Sequence, residues 1–343
     1  MNKKLSIIYS RATALLFIAV TLALPHSSCS RRPLDLPYSQ VNISLSNDYT
    51  MPYGLTKDIP YHYAVMMYDS STGTLGYEDF CKEQGGKINA VPGEYQILTY
   101  DLENSTTLLD GRNHINTIRL FTDDAPERVK ATFNACKKAI REKTKADNTE
   151  IDDTKGGMGF ENDEVKKEPN AIFAGYNPYA RIPVQAASDK ELVFTVKNAS
   201  ALPQGRITIE GVTHTEYLSS VQVFITNIAS SYFLGRKAAD RNPVTIGFQC
   251  SKVDNDSIQG LFNYFGNIEN NELLNSAYIL FIDTSGGKYL FVTDITGYLN
   301  KKNPNANIEI HLEFDVPEPS VGGAGVQPTV DDWNDIWYKY QLG

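Results

Sequence analysis

Hydrophobic and polar positions along most of the chain alternate with period two, in short runs bounded by Gly, Asn, Asp and Ser clusters. That is the pattern of strands with one face in a core and one in water. The first half carries VNISLS (41–46), YAVMMYD (63–69), EYQILTYD (94–101) and INTIRLF (115–121). The second carries ELVFTV (191–196), RITIEGV (206–212), SVQVFITNI (220–228), VTIGFQCS (244–251), AYILFID (277–283), KYLFVTDI (288–295) and NIEIHLEFD (307–315). The expected fold is therefore mainly β.

One segment breaks the alternation. From about Asp124 to Arg141, Val129, Phe133, Cys136 and Ile140 recur at helical spacing, opposite Arg128, Lys130, Lys137, Lys138 and Arg141. Asp124 and Glu127 have the spacing of a capping box, with Pro126 tolerated in the first turn. The expectation is one short helix, in the first half, packed on a sheet by its apolar side with its basic side in solvent.

The halves echo one another. YAVMMYD, a Ser/Thr/Gly turn and Gly93-Glu94-Tyr95 are matched by AYILFID, a Thr-Ser-Gly-Gly turn and Gly287-Lys288-Tyr289. Shared order and spacing suggest two related β-sandwich units, divided near RIPVQAASDK, giving domains at 29–187 and 188–318. Residues 142–169 are charged and poor in apolar side chains, which predicts a long solvated loop. Residues 317–328, PEPSVGGAGVQP, have linker composition. The remainder of the tail (319–343) turns aromatic: after Trp333, the residues Ile336, Tyr338, Tyr340 and Leu342 alternate with Trp337, Lys339 and Gln341. A strand on a tether can add to an open sheet edge or fill a groove; equally, it can fold back on its own domain.

The opposite end predicts export. Lys3, Lys4 and Arg11 precede thirteen uncharged, mostly aliphatic residues (12–24), a length suited to a signal peptide and too short to span a bilayer. Pro25 ends that run, and small Ser27 and Ser28 stand before Cys29. Residues 1–28 read as a lipoprotein signal peptide, and Cys29 as the thiol that takes lipid. Multiple acyl chains on one cysteine anchor a protein stably, so the expected partner there is the membrane.

Composition narrows the function. The chain has 32 basic and 41 acidic residues. Loss of residues 1–28 removes three of the basic ones and none of the acidic, leaving 29 against 41. Such a surface repels phosphate backbones, so nucleic acid is not an expected partner. Cys81, Cys136 and Cys250 are odd in number and widely spaced, unlike a disulfide framework or zinc site. They read as buried small hydrophobes, with one bridge plus one free thiol as the alternative.

No catalytic residue is assigned. His62, His114, His214 and His311 form no metal-ligand spacing, and no nucleophile elbow or phosphate loop occurs. His311, within NIEIHLEF, reads as a half-buried strand residue. Asp254-Asn-Asp256-Ser257 begins like a calcium loop, but Ile258 follows where an oxygen ligand belongs; it reads as a turn. No cofactor and no metal are expected.

These features together resemble a known family. Cys29-Ser-Arg31-Arg32-Pro-Leu34 before a first strand, GEYQILTYDLEN, RITIEGV opening a second β-half, YLFVTDI, and the ending FDVPEPSVGGAGVQPTVDDW are similar to Bacteroidetes fimbrillin-like lipoproteins. The resemblance implies two tandem transthyretin-like β-sandwich domains, with the helix in the first, a lipid anchor at the outer membrane, and a non-catalytic role in fimbriae or adhesion. Stalk subunits of such systems lose an N-terminal segment after Arg or Lys. Arg31 and Arg32 lie too close to Cys29 for that cut to release a strand, which favours an anchor or accessory subunit with other fimbrial subunits as partners. Basic Ser30-Arg31-Arg32 also differs from the acidic residues common after the cysteine in surface-displayed relatives, leaving the membrane face open. The alternative is a surface lipoprotein that binds glycan or another nutrient.

Overall fold

A computed structural model describes residues 38–54, 58–103, 105–146, 162, 164–184, 191–254, 257–268, 273–299, 304–319 and 337–340. The first half contains β1 (Ser39–Asn47), β2 (His62–Asp69), β3 (Leu75–Lys82), β4 (Gly85–Ala90), β5 (Gly93–Asp101), β6 (Thr107–Asp110), β7 (Arg119–Thr122), α1 (Glu127–Ala146), β8 (Val165–Lys166), β9 (Phe173–Ile182) and β10 (Leu192–Ser200). The second contains β11 (Gln204–Thr213), β12 (Leu218–Ala229), β13 (Ser231–Phe233), β14 (Ala238–Ala239), β15 (Pro243–Lys252), β16 (Ser257–Asn263), β17 (Ser276–Asp283), β18 (Lys288–Asp294), β19 (Ala306–Asp315) and β20 (Trp337–Tyr340). The mainly β expectation holds, and the sheets form a barrel and a half-barrel.

The barrel follows the order β1-β10-β9-β5-β2-β3-β4 and closes on itself. Alternate residues of β1, Val41, Ile43 and Leu45, point into its core beside Val65, Met67, Ile97 and Phe173. Closure occurs where β9 meets β10, and there the backbones approach closely. A Cβ at Gly175 would lie 2.2 Å from Asn198 Oδ1 and 2.6 Å from the Lys197 carbonyl oxygen, so only glycine fits. Buried Asn198 is satisfied at that point: it accepts from Thr99 Oγ1 (2.5 Å) and donates to Asn47 Oδ1 (2.8 Å). β10 lies beyond residue 187, yet it is bonded to β1 in parallel and to β9 in antiparallel fashion.

The second sheet runs β19-β11-β16-β15-β12-β17-β18-β20, with β8 beside β15. β15 and β16 share only the pairs Ser251↔Gln259 and Lys252↔Ile258. The sheet consequently folds over there, and Ile207, Ile209, Ile308 and Ile310 of one arm pack in one core with Val223, Ile246, Ile279 and Phe291 of the other.

Strand order is the same in both halves. β1, β2, β3, β4, β5, β9 and β10 correspond to β11, β12, β15, β16, β17, β18 and β19, with matching parallel and antiparallel pairings. In each, the first strand lies parallel to the last. One ladder differs. β9 pairs with β10, whereas among the described residues no ladder joins β18 to β19. The correspondence also shifts the echo read from sequence: YAVMMYD in β2 matches β12, not AYILFID in β17.

Each half sends an excursion onto the other. β7, inserted between β5 and β9, pairs with β13, inserted between β12 and β15. A third core forms around this exchange, with Met66, Tyr68 and Leu98 of the barrel's outer face against Ile118, Leu120, Ala229 and Phe265. β2 is buried on both faces as a result, and residues from Ser39 onward belong to one compact unit.

The helix corrects three expectations. It starts at Glu127 and runs to Ala146, and β8 follows within the segment expected to be a loop. Its apolar side packs on the second half's sheet, with Phe133, Cys136 and Ile140 against Phe224, Tyr278, Leu280, Leu290 and Val292. Asp124 bonds Lys130 Nζ and Lys166 Nζ, both at 2.8 Å, instead of closing a capping box. Those lysines hold its carboxyl at about 2, below the usual range. Lys137, placed in solvent by its basic neighbours, is buried with its ammonium over the Phe133 ring.

Candidate functional site

The missing ladder leaves a seam between β18 and β19, and the sequence of β18 makes that seam chemically distinct. Lys288, Tyr289, Leu290, Phe291 and Val292 are all buried. Tyr289 and Phe291 face the folded-over core, and Leu290 and Val292 face α1. A strand apolar on both faces suits a sheet interior; at an open edge it invites pairing. Across the seam the contact is aromatic. Phe314 of β19 lies 5.1 Å from Tyr289 and 5.0 Å from Phe291 between ring centroids.

The turn into β18 fixes its register. Asp283 accepts from the backbone amides of Ser285 and Gly287, both at 2.8 Å, and from the Tyr289 hydroxyl at 3.0 Å. Burial acts to raise its pKa, but these donors outweigh it and the carboxyl is held below its ordinary value.

The C-terminal strand β20 runs parallel along this edge, Trp337, Tyr338, Lys339 and Tyr340 opposite Tyr289, Leu290, Phe291 and Val292. The backbone thus places Trp337, Tyr338 and Tyr340, three of the tail residues singled out from sequence, at the seam. Trp333, Ile336 and Leu342 lie outside the described residues, as does Cys29. Sequence reasoning missed β18 itself as the receiving edge. The signal available was its unbroken apolar run, KYLFV, in place of strict alternation.

The ionisable groups elsewhere are dispersed. His62 at the start of β2 pairs with Glu103 at 3.0 Å, and His214 with Asp315 at the end of β19 at 2.5 Å, both pairs exposed. His114 Nδ1 accepts from the Asn116 amide. His311 is exposed on β19, which corrects the half-buried expectation. Among the described residues no three His, Cys, Asp or Glu side chains come together as metal ligands.

Cys81, Cys136 and Cys250 are free thiols; Cys136 is buried as expected, whereas Cys81 and Cys250 are only half-buried. Burial pushes Cys81 to about 11, aided by Asp79, and Cys250 to about 12; it raises Cys136 as well. At pH 8 only about one Cys81 in a thousand is then thiolate. Iodoacetamide is therefore expected to modify Cys136 only after unfolding, and Cys81 and Cys250 slowly in the folded protein, as read by peptide mass; ready labelling of Cys136 in folded protein would contradict its burial.

Among the described residues Glu168 is the most perturbed carboxylate. Burial raises its pKa to about 7, opposed by the Asn263 amide that donates to Oε1 at 2.9 Å. Its unfolded value lies near 4.3. Between those values the folded state holds a proton that the unfolded state has lost, so stability falls as pH rises from about 4.5 to 7, by up to ~3 kcal/mol. Thermal unfolding should show a pH-dependent loss over that window which Glu168→Gln removes. An unchanged pH profile in the variant would exclude Glu168 as its source.

Comparison with known proteins gives this geometry relatives. The chain is 21% identical over 344 residues to a Bacteroides ovatus protein named "Putative fimbrium anchoring subunit Fim4B", covering 90% of this chain and 91% of that one. A crystal structure described as a "putative adhesin" from Bacteroides ovatus aligns with TM-score 0.56 and 18% identity, over 86% of this chain and 99% of that chain. The fimbrial anchor protein Mfa2 from Porphyromonas gingivalis aligns with TM-score 0.46 and 11% identity, over 80% and 90% of the two chains. A family model described as a domain of unknown function, DUF5119, matches residues 28–249, and this chain belongs to that family.

Proposed function

We propose that this protein is a non-catalytic, lipid-anchored component of the cell envelope, acting as a fimbrial anchor or accessory subunit. Lipid on Cys29 holds one end at the outer membrane. At the other, the seam beside β18 joins a neighbouring subunit by strand addition, with the C-terminal strand exchanged in the process. The observation that carries this reading is the difference between the halves: one strand order, closed by β9–β10 in the first and occupied beside β18 by a chain terminus in the second. The similarity to a protein named as a fimbrium anchoring subunit supports the same reading. So does the repeated strand order, which fits two transthyretin-like units within one chain.

Strand addition gains main-chain hydrogen bonds for affinity and uses alternate side-chain pockets for specificity. β18 has the means for both: an apolar row on each face and an edge covered by four residues that arrive after the chain leaves β19 at Asp315. Tests of both ends are direct. Cys29→Ser is expected to release the protein from the membrane fraction, and metabolic labelling with palmitate should mark the parent chain alone. Membrane retention of the serine variant without label would remove lipid from the account.

A further inference from the structure

A second candidate site lies away from the seam, on the side where the barrel meets the β13–β14 hairpin. Two adjoining cavities of about 750 and 350 Å³ share Ala199, Ser200, Ala201, Tyr232 and Lys237 as a common wall, so they form one groove. Each is within or above the lower bound of small-ligand sites, about 300–1,000 Å³.

The groove's charge is opposite to that of the protein. Lys197, Arg236 and Lys237 line it, and no Asp or Glu does, in a chain of net charge −9. Among the described residues none of these three cations pairs with a carboxylate. Aromatic rings hold two of them instead: the Arg236 guanidinium lies 3.6 Å from the Phe233 ring centroid, and Lys237 Nζ 5.6 Å from that of Tyr176. The Lys237 backbone has φ 49°, a left-handed conformation that a lysine rarely adopts. The hairpin is held against the first half by the Leu234 amide, which donates to the Ile118 carbonyl at 3.1 Å.

Tyr232 adds a polar group to this wall. The Tyr176 hydroxyl donates to Gln96 Oε1 at 2.6 Å, whereas the Tyr232 hydroxyl has no hydrogen-bond partner among the described residues. The walls also exclude one class of anion. β9 and β10 pair with each other over Asn198–Ser200, the stretch that contributes Ala199 and Ser200 to the groove wall, so that stretch offers no free edge to an extended acidic peptide.

We propose that this groove binds an acidic saccharide, its carboxylate or sulfate held by Lys197, Arg236 and Lys237, with a sugar hydroxyl bonded to Tyr232. Charge complementarity selects the anion, and the aromatic and alanine walls cover the apolar faces of the rings. The site is separate from strand addition and does not depend on it.

Isothermal calorimetry on the full-length chain in detergent tests the assignment, with trigalacturonate and sialyllactose as probes and maltotriose and lactose as neutral counterparts. Saturable binding of at least one acidic probe and none of its neutral counterpart is expected. The triple variant Lys197→Gln, Arg236→Gln, Lys237→Gln should weaken binding about tenfold or more. Tyr232→Phe, which preserves the ring, should weaken it several-fold, and removal of residues 329–343 should leave it intact. Absence of saturable heat with both acidic probes, equal binding of neutral sugars, or undiminished affinity in the folded triple variant would overturn the proposal. Tighter binding of an oligoglutamate peptide than of either saccharide would also overturn it.

Discussion

Deletion of residues 329–343 is expected to abolish co-purification of partner subunits from the native membrane while the rest of the chain stays folded. Loss of β20 removes a ladder of four residue pairs, whose main-chain bonds are each worth about 0.5–1.5 kcal/mol net. The neighbouring core keeps the packing that spans the seam, since Phe281, Tyr289 and Phe291 still meet Phe314. Circular dichroism should accordingly remain that of a β-protein with a modestly lowered melting temperature. Bare β18 should raise self-association, because an apolar edge strand is a template for pairing. Retention of the full partner set by the deleted chain would remove the tail from assembly.

The second large effect concerns the coupling of the halves. Phe133 is fully buried, with its ring centroid 5.2 Å from Phe224 and 5.3 Å from Tyr278. Phe133→Ala empties that contact and is expected to destabilise the protein by about 3–5 kcal/mol. The loss should appear in the second sheet, although residue 133 belongs to the first half of the sequence. Hydrogen exchange supplies the readout: amides of β12, β17 and β18 should lose protection in the variant before those of β1 and β4. Lys138→Ala, on an exposed (i, i+4) pair with Glu142, should change stability by no more than ~0.5 kcal/mol. Equal loss of protection in β1 would mean that the helix stabilises the barrel instead.

The mainly β fold was legible because burial on one face writes a period of two into each strand. Val41, Ile43 and Leu45 of β1 and Ile308, Ile310 and Leu312 of β19 are the clearest cases. The helix was equally legible from Phe133, Cys136 and Ile140. Its partner was not, because an apolar stripe specifies that something covers it and not which sheet does. The repeated strand order was not legible in the echo of strand, turn and Gly-x-Tyr, which set β2 against β17 where the pairings match it to β12. β2 and β17 both carry long apolar runs for different reasons: β2 faces a barrel core and the cross-packing at Met66 and Tyr68, and β17 lies between two sheet neighbours under the helix.

The candidate site divides the same way. Strand periodicity in the tail was visible in Trp337–Tyr340, because alternation is local. The receiving edge was not, because it is defined by the absence, among the described residues, of a ladder between β18 and β19, a property of pairing between distant segments. The cationic groove was invisible for a similar reason. Lys197 lies on β10 and Arg236 and Lys237 at the tip of the β13–β14 hairpin, and only the cross-packing brings them together.

The most direct test of the account is a disulfide that locks β20 beside β18. Val292 and Tyr340 are register partners on adjacent strands, a separation that a disulfide spans. Val292→Cys with Tyr340→Cys, oxidised, is predicted to leave the fold and the membrane association proposed through Cys29 unchanged and to lose capture of partner subunits. Reduction is predicted to restore it. Full partner capture by the oxidised protein would contradict exchange of the C-terminal strand as the means of assembly.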